Sequence, residues 1–231
     1  LLLRVGTIES SYFENMDQNQ NIQKGNLKIL FYNKKNFIKY VHCIVIGIPI
    51  WYVVGLLVMN SKDNFAPLMG INDIENGQAV MYTYIGLSVG DLISGVLSQW
   101  LRSRKKVVGL YLIFTLVLIT SFLFFMDGAS KDSYYLMCFL LGTATGYWAL
   151  FVSIAAEQFG TNIRSTTANT IPNFVRGSVN LIMLGFGFLT ALNLGDAISA
   201  YIVGLVFILM ALYSLSQLKE TFGKDLDYFE T

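Results

Sequence analysis

Polar and apolar positions along this chain separate into six long blocks. Apolar stretches cover Phe37–Val58, Val80–Leu101, Val107–Met126, Tyr134–Ile154, Asn173–Leu194 and Ala197–Ser216. Each is close to the roughly 20 residues that a helix needs to cross a hydrocarbon core of about 30 Å. No water serves the backbone inside such a core, so each block is predicted to be helical. The pattern predicts an all-α integral membrane protein with six transmembrane helices. A polar segment, 1–36, precedes the bundle at 37–216, and a short polar tail, 217–231, follows it.

The blocks fall into two kinds. The third, Val107–Met126, and the sixth, around Ala200–Leu212, are apolar nearly all round, as suits a supporting position against lipid. The first, second, fourth and fifth carry Gly, Pro, Ser, Asn and charged residues, as helices lining something polar do. Mixed, mixed, plain then repeats once, so the period is three spans. A three-plus-three inverted repeat within six spans is the organisation of one half of many secondary transporters.

Composition agrees with a membrane protein and excludes other classes. Hydrophobic residues make up 54%, charged residues 13%, and mean hydropathy is +0.54, whereas a soluble domain is about 25% charged. A net charge of +1 gives no case for nucleic-acid binding. Cys43 and Cys138 both fall inside spans and outside any CxxC pattern, so buried apolar roles are expected, with no metal and no cofactor.

Loop charge predicts orientation. Arg4, Lys24, Lys28, Lys34, Lys35, Lys39, Arg102, Arg104, Lys105, Lys106, Arg164, Lys219 and Lys224 fall on one side of the predicted bundle, against Lys62 and Lys131 on the other. The positive-inside rule then places both ends of the segment in the cytoplasm, as in a multi-pass protein of the cell inner membrane. The opening Leu1-Leu2-Leu3-Arg4 reads as the end of an apolar helix, and the chain as the second part of a longer one.

Several polar residues sit where a membrane span tolerates them only for a reason. At about 100° per residue, Asn169, Asn173, Arg176 and Asn180 share a stripe roughly 60° wide. An arginine in a span costs about 2.5–3.5 kcal/mol on insertion scales. Either it lines a hydrated cavity and binds a polar or anionic solute, or it snorkels from the cytoplasmic end of the span. In span two Tyr84, Ser88, Asp91, Gly95 and Ser98 lie within about 80° of one another. Asp91, near mid-span, is either a carrier of a coupling proton or a structural partner that closes a helix contact. In span four Gly142 and Gly146 have the spacing of a close helix contact, followed by Tyr147 and Trp148, which either pack or flank a solute. Pro49 marks a kink in span one.

Three loop segments carry a resemblance. Gly95-Val-Leu-Ser-Gln-Trp-Leu-Arg-Ser-Arg-Lys-Lys106 resembles G-x-x-x-D-R-x-G-R-R/K: Gly95, Arg104 and Lys105 match, while Gln99, Trp100 and Arg102 stand where Asp, Arg and Gly are usual. Glu157-Gln-Phe-Gly-Thr-Asn-Ile-Arg164 is similar to E-x-F-P-T-x-x-R, with Gly160 in place of Pro. Lys219-Glu-Thr-Phe-Gly-Lys-Asp-Leu226 is similar to P-E-T-K-G-x-x-L, with Lys219 and Phe222 departing. These are signatures of the major facilitator superfamily, in its sugar-porter-like branch, and they align the chain with the C-terminal six of twelve helices. The resemblance implies that 1–36, with Glu9-Ser10, is the central cytoplasmic loop. It also implies that Gly95, Arg104, Lys105, Glu157 and Arg164 belong to a cytoplasmic gate whose charge network locks one state.

The expected function is secondary active transport of a small polar solute (anionic, zwitterionic or sugar-like) by alternating access against an N-terminal half, with no enzyme activity. Arg176, Asn173, Asn180, Asn169 and Trp148 are the expected cavity residues, and Asp91 is the proton-coupling candidate. One alternative is a six-span half-transporter acting as a dimer. Another is an intramembrane Ser/His hydrolase built on Gly86-Leu-Ser88-Val-Gly90 and the lone His42. No nucleotide-binding GxxxxGK[ST] pattern is present.

Overall fold

The computed structural model describes residues 31–71 and 73–223. The expectations resting on Arg4, Glu9-Ser10, Lys24, Lys28 and the tail from Lys224 onward lie outside the described residues. Within them the chain is a multi-pass helical membrane protein, with six helices long and apolar enough to cross a bilayer. They are α1 (Lys34–Val58), α2 (Asn76–Trp100), α3 (Arg104–Phe124), a fourth span made of α4 (Lys131–Thr145) and α5 (Trp148–Glu157), α6 (Thr161–Ala191) and α7 (Asp196–Gln217).

Helix starts follow local capping chemistry. Asn33 accepts from the Lys35 amide at 3.0 Å and starts α1 three residues before the apolar block. The hydroxyls of Ser103 and Ser130 accept from the amides of Lys106 and Ser133, each at 3.2 Å, and start α3 and α4. Gly195, at φ +78°, supplies the left-handed turn that reverses the chain from α6 into α7.

The spans differ in how much of their surface the bundle covers. In span order the buried share of the most apolar window is 78%, 22%, 39%, 56%, 22% and 44%. The mixed composition of span one therefore does not make it a lining helix: it is the most buried of the six. Its last seven residues, Tyr52–Val58, are wound as a π-helix. The Tyr52 ring lies on Gly204 of α7, where a Cβ would stand 2.6 Å from the ring, and its hydroxyl donates to the Ala200 carbonyl at 2.7 Å. The exposed face of α3 is apolar, with Leu110, Ile113, Phe114 and Val117.

Helix α1 packs on α5, α6 and α7; α4 packs on α2 and α3; α3 also packs on α7. The closest approach joins α2 to the fourth span. A Cβ on Gly86 would stand 2.0 Å from the Phe139 carbonyl oxygen, and one on Gly142 would stand 2.0 Å from that of Thr83. Gly86-Leu-Ser88-Val-Gly90 is thus a helix contact of small residues facing Gly142 and Gly146. At the end of the bundle opposite Arg104, the connection after α1 folds inward rather than looping free. It buries Phe65, Ala66, Met69, Ile71 and Ile74, and the Phe65 ring makes tilted contacts with those of Phe122 and Phe186.

Gly142→Ala sets a side chain against backbone that cannot yield and is expected to lose about 1–3 kcal/mol, the range of overpacked cores. Gly187→Ala, where the space is open, should leave stability unchanged or slightly raised. Thermal unfolding of both variants in the same detergent checks the contrast.

Candidate functional site

The fourth span is interrupted. Helix α4 stops at Thr145, Gly146 and Tyr147 leave helical geometry at ψ 53° and 19°, and α5 starts at Trp148. Gly146 lies against Gly90 so closely that a Cβ would stand 2.4 Å from the Gly90 Cα. An interruption there frees backbone groups that lipid cannot serve, and each left bare costs several kcal/mol. Neighbouring spans serve them. Thr115 Oγ1 lies 2.9 Å from the Ala144 carbonyl and 2.8 Å from that of Tyr111. Asp91 Oδ1 accepts from the Ala149 amide at 3.0 Å, so a carboxylate of α2 caps the start of α5. The Tyr147 hydroxyl donates to the Ile46 carbonyl at 3.0 Å, three residues ahead of Pro49, and the Tyr111 hydroxyl donates to the Gly90 carbonyl at 2.9 Å.

Arg176 meets the same point from the other side, its guanidinium 5.5 Å above the Trp148 ring. The fifth span runs from Thr161 rather than Asn173, because helix continues through the polar residues that the apolar block excludes. Arg176 stands midway along α6, six residues beyond the polar stretch Thr161–Thr170. Asn169, Asn173, Arg176 and Asn180 are all exposed on one face. The amides of Asn169 and Asn173 donate back to the carbonyls of Ser165 and Asn169 at 2.8 and 2.9 Å, leaving their Oδ1 atoms outward as acceptors. Trp148 thus has an anionic group at the amide beside it and a cationic group on its ring.

The expected stripe on α2 does not keep to one environment: Tyr84 and Ser88 are exposed, Asp91 and Gly95 partly buried, and Ser98 buried. Ser88 Oγ donates to the Tyr84 carbonyl at 2.9 Å, and His42 Nδ1 lies 3.1 Å from Ser214 Oγ on α7. The structure therefore pairs His42 with Ser214, not with Ser88.

A second cluster forms at the basic end. Arg104 and Glu157 pair at 2.7 Å. Arg164 Nε donates to the Phe159 carbonyl at 3.4 Å, Lys39 Nζ donates to that of Gln158 at 2.8 Å, and Lys105 Nζ donates to that of Leu218. Gly95 has open space where a side chain would go. At the centre stands Glu220, whose role sequence reasoning missed although Glu220-Thr221 matches the tail signature. Its carboxylate accepts from the amides of Arg104, Lys105, Thr221 and Phe222 at 3.1, 3.2, 3.0 and 3.1 Å, and from the Ser103 hydroxyl. Partial burial pushes this carboxyl up, but the bonds from Ser103 and from the Phe222, Arg104 and Lys105 amides outweigh it and hold it below its ordinary value of 4.5.

Compared with known protein families, the sequence matches no family model, and no curated protein matches it.

Two outcomes follow from this geometry. Asp91→Asn keeps an acceptor oxygen for Ala149, whereas Asp91→Leu leaves that amide bare and is expected to lose about 1–3 kcal/mol in thermal unfolding. The Glu220 carboxyl is depressed in the folded state, so its contribution is complete above its ordinary value of 4.5 and fades as pH falls through the lower folded value. Glu220→Gln should therefore melt below the parent at neutral pH, with a gap that closes on acidification below 4.5.

Proposed function

We propose that this chain is one half of a secondary active transporter of the major facilitator type, moving a small polar solute by alternating access. The observation that carries the reading is the interrupted fourth span, where Asp91 caps the new helix start and Arg176 lies over Trp148. Broken helices at mid-membrane hold substrate and coupling groups in secondary transporters.

The packing pattern supports the three-plus-three repeat. Exchanging spans one, two and three for four, five and six converts the α1–α6 contact into that of α2 with α4, and α1–α7 into α4–α3. Burial also pairs at an interval of three, with 22% for both the second and fifth spans. Those two spans carry the polar stripes, and their uncovered faces are where the other half, from the same chain or from a second copy, would close the cavity. Gly95, with open space beside it, would admit that half closely. The Arg104–Glu157 pair would tie the basic end, which this reading places in the cytoplasm at the inner membrane. The two side chains are only 21% and 13% exposed, so opening this end would require the cycle to rehydrate or re-partner both charges.

The test is uptake of labelled organic anions, zwitterions and sugars into vesicles holding the full chain, under an imposed proton gradient. Arg176→Gln, on an exposed face, should fold and lose at least about tenfold in uptake of anions, the scale of a charged hydrogen bond. If Asp91 carries the coupling proton, Asp91→Asn abolishes acceleration by the gradient. Uptake by Arg176→Gln equal to the parent for every solute would overturn the assignment of the site.

A further inference from the structure

Arg102 in the turn between α2 and α3, and Lys106 in the first turn of α3, are two cations that local structure disfavours and that the rest of the described chain leaves unanswered. Arg102 follows the C-terminus of α2 at φ +47°, the left-handed position that glycine usually fills because a Cβ is strained there. Leu101 before it donates its amide to the Leu97 carbonyl at 2.8 Å, and Ser103 after it is pinned to Glu220. Both neighbours are fixed, so the residue between them must take the strained turn, and the chain places an exposed arginine there. Lys106 lies in the first turn of α3, where the helix dipole opposes a cation. Its companions in that turn are answered: Arg104 by Glu157, and Lys105 by the Ser216 and Leu218 carbonyls. The side chains of Arg102 and Lys106 make no hydrogen bond or ion pair among the described residues.

The surface leading to this pair is apolar. Leu92, Val96 and Trp100 form an i, i+4, i+8 row on α2, exposed by 73%, 71% and 80%. The row lies about 120° around the helix from the stripe of Tyr84, Ser88 and Asp91, so it does not compete with the proposed cavity. Tryptophan belongs at the level of the headgroups at a membrane–water interface.

We propose that this corner is a binding site for an anionic phospholipid. One acyl chain lies along Leu92 and Val96, Trp100 sits at the glycerol level, and Arg102 and Lys106 hold the headgroup phosphate. Charge complementarity favours this occupant: the two cations stand where a membrane-spanning helix meets water, and an anionic leaflet attracts each basic side chain there by roughly fivefold in affinity. The α2 dipole welcomes a cation at this end, but it would be served equally by one at an unstrained position.

The test uses the full chain in vesicles, with every tryptophan except Trp100 replaced by phenylalanine, Trp51 and Trp148 included, so that Trp100 alone fluoresces. Quenching by dibrominated phosphatidylglycerol is compared with quenching by dibrominated phosphatidylcholine. The anionic lipid should be preferred several-fold. Arg102→Gly should reduce that preference by about fivefold, and Arg102→Gly with Lys106→Gln should abolish it. In phosphatidylcholine alone, Arg102→Gly should melt above the parent, because glycine adopts the left-handed turn freely. If the tryptophan substitutions prevent folding, the otherwise unmodified chain gives the same comparison as the rise in melting temperature from the neutral to the anionic lipid. Equal quenching by the two lipids would overturn the proposal and point to the chain's own acidic segments as the counter-charge. A preference abolished by inorganic phosphate at constant ionic strength would also overturn it, by assigning the cations to a free anion.

Discussion

A helix interrupted inside a bilayer exposes amides and carbonyls where no water can reach them. At Gly146–Tyr147 this chain meets that constraint with groups from two other spans: Asp91 of α2 accepts from the Ala149 amide and Thr115 of α3 reaches the Ala144 carbonyl, while the Tyr147 hydroxyl ties the break to the Ile46 carbonyl of α1. The interruption and its partners form one unit. Removing the carboxylate leaves an amide bare, and restoring a straight helix would orphan Asp91 instead. Arg176, midway along α6, adds a cation over the Trp148 ring at the same point.

Glycines make that unit possible. Gly86, Gly90, Gly142 and Gly146 let two helices approach until backbone touches backbone. Only at that separation does the short side chain of Asp91 reach the amide of Ala149. Close packing and polar capping are therefore the same device, and dispersion between backbones replaces the hydrophobic drive that lipid cannot supply. The two ends of the bundle are closed differently. One buries aromatic residues under the segment after α1, around Phe65. The other uses charge, with Glu220 gathering the amides at the start of α3 while Arg104 turns to Glu157.

The number and position of the helices were legible in the sequence, because spanning a fixed apolar thickness demands a run of apolar residues of fixed length. So was the face shared by Asn169, Asn173, Arg176 and Asn180, which follows from helical periodicity alone. Apolar runs did not reveal where α6 begins, since a helix can extend into water on polar residues such as Thr161–Thr170. Nor could polarity rank burial: span one carries Pro49 and a histidine yet is the most enclosed helix. Glu220 was passed over because its partners are backbone amides, which every residue possesses and no side-chain pattern marks.

The sequence by itself determined that the described residues form six helices long and apolar enough to cross a membrane, which residues break the apolar surface, and which of them share a helix face. These follow from local composition and the period of the helix. Tertiary structure decided that the fourth span breaks, that Asp91 answers the break, that Arg176 lies over Trp148, and that Arg102 takes a left-handed turn. Each of these depends on which backbones come within hydrogen-bonding distance, and glycines far apart in the sequence set that distance only once the helices pack.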